Sequence, residues 1–128
     1  MNTSINTTAL AYIGDAVYEL EIRRRMINTG RPNVDVLHKE AVNYVSSNGQ
    51  AKAIKQMLKG FLTEEEIRLV KRARNHKITS KPKNAEIINY KLATGFEALI
   101  GSLYLSEDTE RLNECVNKAI EIIGGQNE

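Results

Sequence analysis

Three observations predict an all-α fold for this chain of 128 residues. Apolar side chains recur every three or four residues through most of its length, the spacing of one helix face. Capping residues and glycine or proline stops fall between those stretches. No stretch shows the two-residue alternation of a half-buried strand, so helices must pack on helices in a compact bundle. The length suits a single domain over residues 1–128, able to bury roughly two-thirds of its unfolded surface.

Leu10, Ile13, Val17 and Leu20 set the first helix, which a cap at Asn6, Thr7 or Thr8 opens and which runs to about Met26, before Gly30 and Pro32. A second helical region starts near Val34 with Leu37, Ala41, Tyr44 and Val45, breaks near "SSNG", and resumes through Ala51, Ile54 and Leu58 to a stop at Gly60. Thr63 with Glu66 three residues later is a capping box, opening a helix to about Asn75. After the breaker-rich "HKITSKPKN", Asn84 caps a helix from Ile87 to about Leu105. Asp108 or Thr109 starts the last helix, which ends before Gly124 and Gly125.

Composition narrows the chemistry. The chain is 41% hydrophobic and 27% charged, with no apolar run near the ~20 residues that cross a bilayer, and "MNTSINTT" lacks the parts of a signal peptide. A cytoplasmic protein without a membrane partner is expected. Cys115 is the sole cysteine, and His38 and His76 lack ligand spacing, which argues against a disulfide or zinc. Carboxylates or hydroxyls must carry any catalysis.

Two carboxylates fall where apolar residues are expected. At about 100° per residue, Ala11, Asp15, Tyr18 and Ile22 lie nearly opposite the Leu10, Ile13, Val17 and Leu20 face. A helix apolar on both sides is expected to be buried, carrying Asp15 with it. Glu97 repeats the anomaly in "YKLATGFEALIGSLYL", sharing a face with Tyr90, Ala93, Thr94, Ile100, Gly101 and Tyr104. Gly14, Gly95 and Gly101 flank the acids, and a glycine inside a helix costs about 1 kcal/mol relative to alanine, which suggests close approach of backbones. If the helices cross there, the acids converge and repel. A hard divalent cation, Mg²⁺ above all, is the usual compensation, and it suits phosphodiester hydrolysis by activating water and neutralising developing charge. The competing possibility is local satisfaction of each acid by tyrosine hydroxyls or by Arg and Lys of adjacent helices. Tyr12, Tyr18, Tyr90 and Tyr104 are read as core residues.

The segment "KRARNHKITSKPK" holds six of the eighteen Lys and Arg and no acid, so a basic patch stands against a net acidic remainder. Lys71, Arg72, Arg74, Lys77, Lys81 and Lys83 suit phosphate contacts on nucleic acid, and the lack of aromatics among them favours a duplex over stacked single strands. Alternatively, they complement the helix dipole at a solvated C-terminus. Arg23, Arg24 and Arg25 are explained by that dipole and by i,i+4 pairing with Glu19.

With these residues in view, "AYIGDAVYELEIR" and "ATGFEALIGSLYL" resemble the two active-site helices of the ribonuclease III catalytic domain, "ERLEFLGDAVL" and "DxxEALIGALYL" in full-length members. "YIGDAVYE", "RNHK" and "PKNA" are similar to the compact Mini-ribonuclease III branch, which lacks a double-stranded RNA-binding domain. The resemblance runs essentially end to end and implies that Asp15 and Glu97 are the catalytic, metal-binding pair, with Mg²⁺ as cofactor. It also shows departures: Ala11 and Thr94 stand where full-length members carry two further acids, leaving the number of metals open. The resemblance further implies a homodimer that cuts double-stranded RNA, leaving 5'-phosphate and 3'-hydroxyl ends. Maturation of 23S ribosomal RNA precursor, helped by a large-subunit ribosomal protein, is the implied role, with RNA contacts at Arg72, Arg74, Lys77, Lys81 and Lys83. The alternative is a catalytically inactive helical RNA-binding or ribosome-assembly module of the same fold.

Overall fold

The computed structural model describes residues 5–30, 33–76 and 84–125. These form six helices and no strand, in the order α1 (Thr7–Ile27), α2 (Val34–Val45), α3 (Ser47–Met57), α4 (Glu64–Arg74), α5 (Asn84–Leu105) and α6 (Thr109–Gly124). The all-α expectation holds.

Local chemistry explains the boundaries. Asn6 caps α1, its Oδ1 accepting the Thr8 N–H at 2.7 Å, and Asn33 caps α2 by accepting from Val36 at 2.9 Å. Ser46 breaks the second helical region: its N–H closes α2 on Val42 O, while its Oγ accepts the Gly49 N–H and opens α3. A side chain at Gly49 would stand 2.2 Å from the Asn43 carbonyl oxygen, so the corner needs glycine. Gly60, at φ +99°, takes the left-handed conformation that ends the turn after α3. The capping box forms as expected, Thr63 Oγ1 accepting from Glu66 N and Glu66 Oε1 from Thr63 N. Asp108 caps α6. Asn84 is the first residue of α5 rather than its cap, so that helix opens three residues before Ile87.

α5 is the central element, packed by α1, α3, α4 and α6, and its pairing with α1 is the most extensive. The core gathers Tyr18, Ile22, Ile54, Met57, Phe96, Leu99, Ile100 and Val116. Tyr18 and Phe96 meet edge to face with centroids 4.8 Å apart, and the Tyr18 hydroxyl donates to Tyr44 O at 3.0 Å. Cys115 is buried and unbridged. Among the described residues no helix is long and apolar enough to cross a membrane.

Two expectations are corrected. α1 is covered on one side only: Leu10, Val17, Tyr18 and Ile22 are buried, but Leu20 is 64% exposed and Tyr12 83% exposed, and Asp15 lies in solvent reach with them. Apolar residues on two faces implied two neighbours, yet among the described residues no helix covers the outer face. Tyr90 and Tyr104 are likewise exposed, so of the four tyrosines read as core only Tyr18 is.

Candidate active site

Glycine brings the site together. A Cβ on Gly14 would fall 1.8 Å from the Glu97 carbonyl oxygen, and one on Gly101 2.0 Å from the Leu10 carbonyl oxygen. Only hydrogen atoms fit between α1 and α5 there, so their backbones touch one residue before Asp15 and one turn after Glu97. The Asp15 and Glu97 carboxyls consequently come within hydrogen-bonding reach of each other.

The electrostatic load falls on Glu97. Burial pushes its carboxyl up, and the Asp15 charge pushes it further, to about 8 from an ordinary 4.5. The Gln50 amide acts in the opposite sense. Burial was expected of both acids, but only Glu97 is drawn into the fold, and Asp15 is exposed. No Lys, Arg or His among the described residues pairs with either acid. The arginines of α1 are engaged elsewhere: Arg23 with Glu19, Arg24 and Arg25 with Glu21, and Arg25 also with Asn117 on α6.

The positions that lack family acids have other uses here. Ala11 packs with Leu10, Leu69, Ala73 and Ala98 in a small apolar cluster, where a carboxylate would lack a partner. Thr94 Oγ1 donates to Tyr90 O at 2.9 Å, within its own helix. No group of three or more His, Cys, Asp or Glu able to hold a metal occurs among the described residues. Two carboxylates therefore form the acidic part of the site.

The last turn of α4 packs against the two helices that carry this pair. Ala73, in the same cluster as Ala11 and Ala98, anchors the last turn of α4, and its neighbours are Arg72, exposed, and Arg74, half-buried with Nε donating to Asn75 Oδ1 at 3.2 Å. Gly95 reinforces the contact, because a Cβ there would stand 3.0 Å from Val70 O. Lys77, Lys81 and Lys83 lie outside the described residues.

One polar residue escaped the sequence pattern. Gln50, on α3, is 1% exposed; its Nε2 donates to Val45 O at 3.0 Å, its interaction favours the ionised Glu97 carboxyl, and its Oε1 is buried without a hydrogen-bond partner among the described residues. The signal was present: Gln50, Ile54 and Met57 form the buried stripe of α3, so an amide sits in a core register.

Comparisons with known proteins give the family and the fold of the chain. The family model for the ribonuclease III domain matches residues 8–108. The chain is similar to the Mini-ribonuclease 3 of Enterococcus faecalis, 46% identical over 97% of this chain and 95% of that protein. It is also similar to that of Streptococcus pneumoniae, 44% identical over 94% and 95% respectively. A crystal structure of a Fusobacterium nucleatum protein superposes with a TM-score of 0.79 at 32% identity, covering 93% of this chain and 94% of that one.

Proposed function

The chain belongs to the ribonuclease III domain family and is an endoribonuclease, and from that premise we propose that it cuts double-stranded RNA with Asp15 and Glu97 as its catalytic pair. The observation that carries this assignment is the juxtaposition of two carboxyls at a glycine crossing with no cation among the described residues to offset them. A structural acid pair is normally compensated within the fold.

The donor set fits a hard divalent ion. Two carboxyls meet from α1 and α5, and Mg²⁺ is commonly held by one or two carboxylates together with waters and substrate phosphates. Asp15 and Glu97 would hold it. Bound there, such an ion neutralises charge on the phosphate and acidifies the attacking water. Glu97 would present a ligand oxygen from the half-buried side of the crossing and Asp15 one from its exposed side. The exposed Arg72, beside Ala73 at the border of the site, meets backbone phosphates, and Arg74, Lys77, Lys81 and Lys83 extend that contact.

A homodimer completes the reading. Tyr12, Leu20 and Ile27 leave apolar surface along α1, and Val34 continues it at the start of α2. A second copy covering that face would set two sites across the two strands, yielding 5'-phosphate and 3'-hydroxyl ends from one 128-residue domain per subunit. The resemblance to the compact branch adds 23S ribosomal RNA precursor as substrate, a large-subunit ribosomal protein as helper and the cytoplasm as location.

The deciding experiment is cleavage of an end-labelled RNA duplex and of its separate strands, with Mg²⁺ and with chelator, by wild type and by folded Asp15→Asn and Glu97→Gln proteins. Metal-dependent, duplex-restricted cutting that both substitutions abolish supports the assignment. Duplex binding without cutting would instead identify an inactive RNA-binding module.

A further inference from the structure

Gln50 is a neutral amide in a position built for an apolar side chain. It shares its buried stripe with Ile54 and Met57, and α3 uses that stripe to pack on the other helices. Its Nε2 carries two hydrogens. One goes to the Val45 carbonyl, among the last of α2 and so without a partner inside that helix. The Glu97 carboxyl is within reach of the same amide. Holding the Val45 carbonyl needs only a donor, whereas the structure also buries Oε1 with nothing to accept from. A buried acceptor left in that state costs stability, so the amide is retained against that cost while its interaction favours the ionised Glu97 carboxyl.

Building on the reading of Asp15 and Glu97 as the catalytic pair, we propose that Gln50 is the positioning residue of this site. Its amide, clamped on the Val45 carbonyl through Nε2, holds the Glu97 carboxyl in the orientation in which it would bind a divalent cation. Ala11 and Thr94 bring no acid to this place, and Thr94 spends its hydroxyl on Tyr90 O. The third element that touches Glu97 therefore supplies an amide instead of a carboxylate. An amide adds no charge to a pair already short of cations, and it orients a ligand carboxylate as outer partners in metal sites generally do.

The test compares wild type with Gln50→Met, which keeps length and volume but neither donor nor acceptor, and with Gln50→Leu. Mn²⁺ serves as the probe, its binding followed by paramagnetic resonance on the RNA-free protein and its half-saturating concentration followed in duplex cleavage. We expect folded variants whose Mn²⁺ affinity falls about tenfold or more and whose kcat falls about tenfold to a hundredfold, with KM for RNA within about twofold. A merely structural role would move melting temperature and leave the metal titration unchanged, and that result overturns the proposal. If both variants fail to fold, relaxation in the wild type decides. Mn²⁺ should broaden the side-chain amide resonances of Gln50 well before those of Gln56, exposed on the same helix, and equal broadening overturns the proposal. Direct Mn²⁺ binding requires no cleavage, so a wild type that binds the ion at a Gln50-dependent site yet cuts no duplex refutes the nuclease reading alone.

Discussion

Glu66 and Glu97 are both glutamates drawn into the fold, and they have opposite fates. Glu66 is 4% exposed, yet its carboxyl is fully served: Arg111 donates through Nε and an Nη at 2.9 and 2.8 Å, and Thr63 donates its N–H. Burial alone would raise its pKa, but the Arg111 and Thr63 hydrogen bonds outweigh it and hold the carboxyl below its ordinary value. Arg111 is fixed in turn by stacking over Phe61 and bonding Phe61 O. Glu97 is less buried, but it faces Asp15 and has no cation paired with it among the described residues. The contrast lies in compensation: both acids are drawn into the fold, and among the described residues a cation offsets Glu66 and none offsets Glu97.

The largest expected effect separates the two roles outright. Asp15→Asn or Glu97→Gln should lower the cleavage rate by on the order of 10³-fold, as removal of a principal source of transition-state stabilisation does. Neither should lower the melting temperature without metal, because each substitution removes a repulsion. Unimpaired cleavage, or a destabilised Glu97→Gln protein, would put Glu97 in the class of Glu66.

Gly14→Ala attacks the geometry rather than the charge. Its Cβ would enter the Glu97 carbonyl oxygen, and neither backbone can yield locally, so a loss of about 3 kcal/mol or more is expected in denaturant unfolding. Folded Gly14→Ala protein should lose cleavage while keeping the Glu66–Arg111 bridge. Wild-type activity in that variant would mean that the crossing does not set the spacing of the acids. Glu66→Gln reverses the pattern: it should cost about 2–3 kcal/mol, less than a fully buried pair because Arg111 keeps some solvent, and leave kcat per folded molecule unchanged. A kcat loss there would tie α6 to the site.

How much of this was legible beforehand follows from the residues. Thr63 with Glu66, Asp108 and the Ser46 break were readable because caps are local, chemical and set by spacing. The meeting of Asp15 with Glu97 was readable because Gly14 and Gly101 cost helix stability and so imply contact. Exposure was not readable. The outer face of α1 has the composition of a core, and periodicity alone does not say whether a second chain or the same chain covers Leu20 and Tyr12. Gln50 was hidden by register. The stripe through Ala51, Ile54 and Leu58 does face the core, but the buried face is wider than that stripe and takes in Gln50, Ala53 and Met57 as well.

The smallest effect is the pH dependence of stability in chelator, where the two glutamates should oppose each other. Glu97 has a folded pKa near 8 against 4.5 unfolded, so between those values the native state holds more protons than the unfolded one. Its contribution is complete below about pH 4.5 and is lost as pH rises toward 8, with a slope of at most about 1.4 kcal/mol per pH unit. Glu66, with its pKa lowered, does the reverse: its contribution is present above 4.5 and is lost as pH falls below it. Unfolding curves from pH 4 to 8 should therefore show wild type losing stability relative to Glu97→Gln as pH rises, and Glu66→Gln differing least from wild type at the acid end. Parallel curves for wild type and Glu97→Gln would mean that a partner already neutralises Glu97. A divalent ion should cancel the alkaline loss, because it binds the ionised carboxyl, and it should leave the acid limb set by Glu66 unchanged.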